Sequence, residues 1–285
     1  MRVMVTGATG MLGRDVVLAA ENAGHEVSAL ARTDLDVTDA DAVAARIERD
    51  RPGAVINCAA WTDVDGAEES EQEAMAVNGA GAGNVAAAAA AAAAPVVYLS
   101  SDYVFDGKKD APYVEVDQPA PLSAYGRTKL AGEEATAAAN RQHYIVRSSW
   151  LFGIGGGNFV ETMLQLADDH GEVLVVRDQV GSPTYTWHLA YGLVRLIEGG
   201  SYGIHHMAGG GACSWYEFAR EIFEQARVEC KVMSATTDML ARPAPRPPYS
   251  ALTSQREHAI VLPAWRDGVA AYLAQRSAER EAAGA

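Results

Sequence analysis

Short apolar runs alternate with longer stretches of helical periodicity through the first half of the chain. The runs are five or six residues long and contain Val, Ile or Leu, which is typical of buried strands. They predict strands at 2–6, 26–30, 54–58, 96–100 and 143–148, with helices at 11–23, at 38–50 with Thr38 as N-cap, up to about 94, and at 124–140. Strands that alternate with helices of this length indicate a parallel sheet covered on both faces.

The pattern changes after residue 150. A glycine-rich loop at 153–158 is followed by predicted helices at 159–169, 187–198 and 214–226, the last with a Ser214/Glu217 capping box. The proline-rich stretch 242–248 predicts a loop, and a final helix is predicted at about 264–278. The whole predicts a Rossmann-like, doubly wound α/β fold, with an NAD(P)-binding domain over 1–150 and a smaller substrate-binding part over 151–285.

The charge and composition of the chain argue against nucleic-acid and membrane partners. The 285 residues include 23 Lys and Arg against 37 Asp and Glu, for a net charge of −14. This balance argues against a nucleic-acid partner, since such binding needs clustered cations. The chain shows no signal-peptide pattern, no apolar run long enough to span a bilayer, and only three widely spaced cysteines. We therefore expect a cytoplasmic enzyme without a membrane partner, either a monomer or a homodimer.

A glycine motif follows the first predicted strand and opens the first predicted helix. Its glycines are Gly7, Gly10 and Gly13, with Met11 and Leu12 between the last two. Glycine there lets the turn close, lets a pyrophosphate approach backbone N–H groups, and lets the helix pack on the strand. The alternative is a glycine-containing turn without a ligand. We favour a dinucleotide site because of the strand–turn–helix context.

The end of the second predicted strand bears on which dinucleotide binds. An acidic residue there suits a ribose 2′-hydroxyl, whereas an arginine suits a 2′-phosphate. The strand is followed by Arg32, so we predict NADPH as the cofactor; the alternative is NADH, with Asp34 binding the ribose. Asp36 and Val37 are expected at the adenine edge.

The third and fourth predicted strands end at the same crevice. Tyr125 and Lys129 lie four residues apart on the helix that follows the fourth strand, so they share one face. A neighbouring ammonium is expected to lower the pKa of the phenol, which then exchanges a proton with a substrate oxygen. Ser101, at the end of the fourth strand, offers a hydroxyl to the same substrate carbonyl. The alternatives are a surface Tyr–Lys pair and a serine that only caps backbone.

These residues resemble the extended short-chain dehydrogenase/reductases and, more narrowly, the dTDP-4-dehydrorhamnose reductase family. The narrower resemblance rests on segments spread over nearly the whole chain: 100–107 (SSDYVFDG), 121–133 (PLSAYGRTKLAGE), 147–153 (RSSWLFG), 178–184 (DQVGSPT), 213–219 (CSWYEFA) and 262–265 (LPAW). It implies NADPH-dependent reduction of the 4-keto group of a nucleotide-activated 4-keto-6-deoxysugar.

The resemblance also implies roles for single residues. Tyr125 is the implied proton donor, Lys129 is the lysine that accompanies this tyrosine in the family, and Ser101 supplies the catalytic hydroxyl. Asp102 and Trp150 are implied to contact the sugar nucleotide. Arg246, in a loop that matches the family only in part, is a candidate for the diphosphate; otherwise it is a solvated charge. The implied cofactor positions are Gly10, Met11, Leu12, Asp36, Val37, Ala60, Trp61, Thr62, Leu99, Tyr125 and Lys129. Trp61 departs from the residues often found at its position.

Two other function classes and a magnesium site are alternatives to consider beside the reductase. Some members of the family use magnesium, but no acidic cluster in the sequence supports a metal site. A non-catalytic, NADP-binding regulatory subunit of the methionine adenosyltransferase type is one alternative, although Tyr125, Lys129 and Ser101 are intact. The other is a sugar-nucleotide epimerase or dehydratase, and for a dehydratase only one acid, Asp102, stands beside the hydroxyl.

Overall fold

The computed structural model describes residues 1–284. Its strands are β1 (Arg2–Thr6), β2 (Glu26–Leu30), β3 (Ala54–Asn57), β4 (Val96–Ser101), β5 (His143–Ser148), β6 (Leu151–Phe152), β7 (Glu172–Val176), β8 (Val180–Gly181), β9 (Thr184–Tyr185), β10 (Gly203–His206), β11 (Cys213–Ser214) and β12 (Lys231–Ala235). Its α-helices are α1 (Met11–Asn22), α2 (Ala40–Asp50), α3 (Gly66–Glu69), α4 (Glu71–Met75), α5 (Ala82–Ala91), α6 (Ala124–Ala139), α7 (Phe159–Asp169), α8 (Thr186–Gly199), α9 (Trp215–Ala226), α10 (Thr237–Leu240) and α11 (Trp265–Gly284). A π-helix (Ala76–Gly81) precedes α5, and a 3₁₀-helix (Asp102–Val104) follows β4.

Six strands form the central sheet, in the order β10-β5-β4-β3-β1-β2, and every neighbouring pair is parallel. The predicted Rossmann-like, doubly wound sheet is confirmed. From β1 the chain runs outward to β2 and then returns to place β3 on the other side of β1. The carboxyl ends of β1 and β3 are therefore the point where strand order reverses, which is where ligands bind in open α/β sheets.

Helices cover both faces of this sheet. The helices α1 and α8 pack together on one face, where their apolar side chains join those of the strands in one core cluster. The helices α2, α5 and α6 cover the other face. All four residues of β3 are buried, as expected of a central strand covered on both sides.

A second core lies in the C-terminal part of the chain. It is built around Phe152, Phe218, Trp265 and Tyr272, which come from β6, α9 and α11. The paired strands β7 and β12 pack against this group through α9. The helix α8 and the strand β10 lie after residue 150, yet they complete the layers of the central sheet. The division at residue 150 stays a prediction.

Most predicted elements lie within two residues of their predicted bounds, and β1, β2, β5 and α7 match them at both ends. The prediction of Thr38 as N-cap of the second helix is wrong. Asp39 caps α2, because its carboxylate accepts a hydrogen bond from the Ala42 N–H at 3.0 Å. The Ser214/Glu217 capping box is confirmed at the start of α9. Within residues 1–284, no helix is both long and apolar enough to cross a membrane.

Candidate active site

A cavity of about 660 Å³ opens along the carboxyl ends of β1, β3, β4 and β5. Its size lies in the range of small-molecule sites. Every predicted site residue except Arg246 lines this cavity: Gly7, Gly10, Met11, Leu12, Gly13, Arg32, Asp36, Val37, Ala60, Trp61, Thr62, Leu99, Ser101, Asp102, Tyr125, Lys129 and Trp150. The structure thus brings together side chains that are spread over 144 positions of the sequence from Gly7 to Trp150.

The glycine turn forms one end of the cavity, at the start of α1. Gly7 has φ +65°, and a Cβ there would lie 2.7 Å from the Ala59 backbone nitrogen of the neighbouring strand end. A Cβ on Gly13 would lie 2.1 Å from the Gly7 carbonyl oxygen, so the turn and the helix touch backbone to backbone. Gly10 is the N-cap of α1 and supplies no side chain to the first N–H groups of the helix. The turn therefore fits an anionic group such as a pyrophosphate.

The two residues that the sequence left open for the adenosine ribose have different surroundings. Arg32 lines the cavity. Asp34 does not line it, and its carboxylate accepts a hydrogen bond from the Ala31 N–H at 2.9 Å. Asp36 lines the cavity but accepts hydrogen bonds from the N–H and hydroxyl of Thr38, which lower its pKa. The cationic side chain is thus the one available to a ribose phosphate.

The opposite end of the cavity is built by α6. Ser123 caps this helix by accepting a hydrogen bond from the Gly126 N–H at 3.1 Å. The cap sets the first turn of α6 so that Tyr125 and, one turn later, Lys129 line the cavity. The Tyr125 ring stands edge-on to Tyr103, with ring centroids 5.7 Å apart and planes at 81°. This edge-on contact holds the half-buried phenol ring in one orientation.

The pKa of Tyr125 differs from the sequence-based expectation. A lowered pKa was expected from Lys129, but burial raises the pKa of this phenol, and the nearby carboxylate of Asp102 raises it further. The Ser101 hydroxyl acts in the opposite direction and lowers it. The physical reason for the difference is the low dielectric of the site, which disfavours a phenolate. Tyr125 is therefore protonated at neutral pH, the form that a proton donor requires.

Lys129 is a buried cation, with only 3% of its surface exposed. Its ammonium lies over the ring of Tyr98, 4.6 Å from the centroid. Burial lowers the pKa of Lys129 to about 8, and Glu133, one helical turn further on, raises it in part. Glu133 is itself held by Arg147 at 2.8 and 2.7 Å and by Ser100 at 2.5 Å. At neutral pH Lys129 is thus an ammonium, but one that loses its proton easily.

Ser101 and Asp102 form a small hydrogen-bonded group at the end of β4. The Ser101 hydroxyl donates to Asp102 Oδ1 at 3.1 Å and accepts from the Tyr103 N–H at 3.2 Å. The Ser250 hydroxyl, two residues after the proline-rich stretch 242–248, donates to Asp102 Oδ2 at 2.5 Å. Burial raises the pKa of Asp102 to about 7, although both serines act to lower it. The carboxyl group is thus held on both oxygens and titrates near neutral pH.

Two tryptophans form a wall of the cavity. The indoles of Trp150 and Trp215 stack with centroids 3.5 Å apart and planes at 5°. Trp150 has φ +48°, an uncommon backbone conformation for a bulky residue that is found preferentially at functional sites. Sequence reasoning assigned no role to Trp215. The capping box of Ser214 and Glu217 fixes the start of α9 at Trp215, but it does not indicate that this indole lines a cavity.

Asn78 is a second residue that sequence reasoning missed. It lies in the π-helix, a distortion often found near functional sites. Its side chain accepts a hydrogen bond from the Trp61 N–H at 2.9 Å and donates to the Trp61 carbonyl at 3.1 Å and to Thr128 Oγ1 at 3.0 Å. Asn78 therefore ties the backbone after β3 to the helix that carries Tyr125 and Lys129.

Arg246 lies outside the group of residues that line the cavity. Its guanidinium donates to both carboxylate oxygens of Asp65, at 3.1 and 3.0 Å. It also lies close enough to the phenol of Tyr103, a lining residue, to act against the rise in that group's pKa. Its neighbours show that it is not a solvated loop charge.

No three His, Cys, Asp or Glu side chains of residues 1–284 are grouped so that they could hold an ion.

Comparison with known proteins places this geometry among sugar-nucleotide enzymes. Residues 1–278 match the family described as RmlD substrate binding domain. A dTDP-4-dehydrorhamnose reductase of Mycolicibacterium smegmatis is 44% identical over 270 residues, 93% of this chain and 82% of that protein.

Solved structures give the same result. A dTDP-4-dehydrorhamnose reductase of Clostridium acetobutylicum aligns with a TM-score of 0.95 at 41% identity, covering 97% of this chain and 100% of the other. That of Bacillus anthracis, in complex with NADP, aligns with a TM-score of 0.94 at 36% identity, covering 96% and 99%. The likeness thus includes the central sheet and the C-terminal core.

Proposed function

Since this chain belongs to the RmlD substrate binding domain family, we propose that it is an NADPH-dependent oxidoreductase acting on a sugar nucleotide. Its reaction is the reduction of the 4-keto group of a nucleotide-activated 4-keto-6-deoxysugar, as in dTDP-L-rhamnose synthesis. The relatives named dTDP-4-dehydrorhamnose reductase, at 36–44% identity over nearly the whole chain, support this reaction.

One observation carries the proposal. A phenol, an ammonium and a serine hydroxyl, from Tyr125, Lys129 and Ser101, line the same cavity as the glycine turn at Gly7–Gly13. Each of these features alone is common in proteins. Their meeting in one cavity of about 660 Å³ supports hydride and proton transfer to a carbonyl group.

The residues of the cavity fit NADPH. The backbone of the glycine turn would hold the pyrophosphate, because added side chains would fill that space. Arg32 would pair with the 2′-phosphate, since its charge reaches the cavity and the Asp34 carboxylate is bonded elsewhere. The remaining cofactor positions line the same wall: Met11, Leu12, Asp36, Val37, Ala60, Trp61, Thr62 and Leu99. The cofactor, when bound, supplies the hydride that the substrate carbonyl carbon receives.

Tyr125 then supplies the proton to the carbonyl oxygen. The C=O double bond becomes a C–O single bond, the hydride forms the new C–H bond and the proton forms the new O–H bond. Burial keeps the Tyr125 phenol protonated until this step. The ammonium of Lys129, with its pKa lowered to about 8, offsets the negative charge that the phenol acquires and aids its reprotonation.

Ser101 shares the task of binding the carbonyl oxygen. Its hydroxyl can donate one hydrogen bond, which Asp102 accepts in the structure. A substrate oxygen would compete for that proton, and Asp102 would then bind a sugar hydroxyl with the freed oxygen. The stacked indoles of Trp150 and Trp215 offer an apolar surface to the deoxysugar. Arg246, which lies beside the lining residue Tyr103, would bind the diphosphate of the sugar nucleotide and would share its charge with Asp65.

Two further parts of the proposal rest on the sequence. The first is the division into a cofactor-binding domain over 1–150 and a substrate-binding part over 151–285. The second is a cytoplasmic enzyme that works as a monomer or homodimer, in line with its few, widely spaced cysteines.

The deciding experiment follows NADPH absorbance at 340 nm with a panel of nucleotide 4-keto-6-deoxysugars. We expect stoichiometric NADPH consumption with the dTDP-linked 4-keto sugar. An epimerase would leave the cofactor unconsumed, and a regulatory subunit would bind NADP without turnover.

The variant Tyr125→Phe tests the role of the phenol. It keeps the ring that packs on Tyr103, so we expect unchanged stability and NADP affinity, with kcat lower by about 10²–10⁴-fold. Tyr144→Phe is the matched control, because the Tyr144 hydroxyl donates to the Gly200 carbonyl, away from the residues that line the cavity. Near wild-type turnover in Tyr125→Phe would contradict the assignment.

A further inference from the structure

Four buried side-chain oxygens have no hydrogen-bond partner within residues 1–284. They belong to Asp15, Thr136, Ser148 and Thr186. Of these residues, only Ser148 lines the cavity. Ser148 is 3% exposed, and its hydroxyl oxygen has almost no surface accessible to water. A buried hydroxyl without a partner is unfavourable, and such groups in proteins are normally satisfied.

The hydroxyls around Ser148 are all engaged. Ser100 donates to Glu133 at 2.5 Å, Ser101 to Asp102 at 3.1 Å, and Ser149 to the Ser182 carbonyl at 2.8 Å. Ser148 stands directly beside Ser101, since the two residues are paired in the register of β4 and β5. It is therefore the hydroxyl of this strand-end group that is left for a ligand.

The face of the sheet on which Ser148 lies indicates which ligand it meets. Side chains alternate along a strand, and Val146, two residues earlier, packs in the core that α1 and α8 form with the sheet. Ser148 thus shares the face of α1, whose N-terminus carries the glycine turn. Arg147 points the other way, to Glu133 on α6. A dinucleotide that starts at the glycine turn would cross the face of Ser148 to reach Tyr125 and Lys129.

We propose that Ser148 binds the carboxamide of the nicotinamide ring and thereby fixes the rotation of that ring. The inference rests on the proposed function, since it requires NADPH as the ligand. A primary carboxamide has one acceptor and two donor hydrogens, so it satisfies a hydroxyl as donor or as acceptor. A sugar hydroxyl is the competing partner, because Ser101, beside Ser148, is proposed for the substrate carbonyl; the face that Ser148 shares with α1 and the glycine turn favours the cofactor.

Binding of NADP⁺ to the variant Ser148→Ala tests the proposal without turnover. We expect the Kd for NADP⁺, measured by calorimetry, to rise about three- to tenfold, the effect of losing one hydrogen bond between neutral groups. The Kd for 2′,5′-ADP, which carries the adenosine phosphates but no nicotinamide, should stay unchanged. The Kd for dTDP-L-rhamnose should stay unchanged as well. Ser148→Thr, which retains the hydroxyl, should restore NADP⁺ binding.

Thr136→Ala is the matched control. Thr136 also carries a buried hydroxyl without a partner in the described chain, but it lies on α6 away from the residues that line the cavity. Both alanine variants should keep or raise the melting temperature without ligand, because each removes an unsatisfied hydroxyl. Only Ser148→Ala should show a smaller rise in melting temperature on adding NADP⁺.

The outcomes separate this inference from the proposed function. If wild type binds NADP⁺ and Ser148→Ala binds it equally well, the role of Ser148 is wrong while the function stands. If Ser148→Ala weakens dTDP-L-rhamnose binding instead, the hydroxyl serves the sugar and the proposal is overturned. If wild type binds no NADP⁺, both fail.

Discussion

Replacing Lys129 by methionine should stabilise the fold while it removes activity. The ammonium is almost fully buried, and burial lowers its pKa from 10.5 to about 8. At about 1.4 kcal/mol per pH unit, that difference means that holding the charge costs the folded state about 3 kcal/mol at pH 7. Methionine is similar in length and uncharged, so Lys129→Met should recover an energy of this order, reduced by the loss of the contact with Tyr98.

The gain should depend on pH in a known direction. Between about pH 8 and 10.5 the unfolded chain still binds the Lys129 proton while the folded chain has released it. Wild-type stability from this group therefore rises with pH across that interval. Lys129→Met lacks the titration, so its advantage should fall from about 3 kcal/mol at pH 7 to about 1 kcal/mol at pH 9.5.

Urea unfolding of both proteins at the two pH values measures the effect. Lys231→Met serves as the control, because the Lys231 side chain is 67% exposed and its replacement should change stability little at either pH. A Lys129→Met protein that is less stable than wild type at pH 7, with a difference that does not vary with pH, would refute the reasoning. The same variant should show at least a tenfold loss of kcat.

Two further predictions concern the cofactor. Arg32→Ala should lower kcat/KM for NADPH by about 10- to 100-fold, the effect of losing charge-assisted hydrogen bonds. The kcat/KM for NADH should change by no more than about threefold. Equal losses with both cofactors would show that Arg32 does not bind the 2′-phosphate. Gly13→Ala should destabilise the fold by about 1–3 kcal/mol and abolish NADP⁺ binding, because its Cβ would lie 2.1 Å from the Gly7 carbonyl. Gly171→Ala, where a Cβ meets nothing within 4 Å, should change neither stability nor NADP⁺ binding. An unchanged NADP⁺ affinity in Gly13→Ala would contradict the binding of the pyrophosphate at the glycine turn.

The parts of the fold that sequence predicts well are those whose signal is local. The strands β1 and β5 contain apolar runs that are buried in the central sheet, whereas β2 is an edge strand and alternates polar with apolar residues. The two-residue strands β6, β8, β9 and β11 escape prediction, because pairings such as β6 with β9 are set by tertiary contacts. The cap of α2 was placed one residue early, because Thr38 and Asp39 are both good caps by residue type.

The candidate site divides in the same way. The glycines and the Tyr125/Lys129 pair have fixed spacing within one element, so a single sequence exposes them. Asn78 and Trp215 act through contacts with residues far along the chain, and no local pattern marks them. The direction of the Tyr125 pKa shift was missed for a related reason. Spacing on a helix predicts a neighbouring ammonium, but the pKa of Tyr125 is raised by burial and by the Asp102 carboxylate, which depend on the tertiary fold.

The desolvation also bears on the direction of the reaction. Burial moves the three titratable groups of the site toward their neutral forms: Asp102 to a pKa of about 7, Lys129 to about 8, and Tyr125 above its ordinary value. A phenol that resists ionisation supplies little phenolate to act as the base in alcohol oxidation, but it remains protonated and can protonate a carbonyl oxygen. Between about pH 7 and 8 the carboxylate and the ammonium are both charged, and above that range the ammonium is lost. Near neutral pH the site thus holds Tyr125 in its protonated form, the form that reduction of a carbonyl requires.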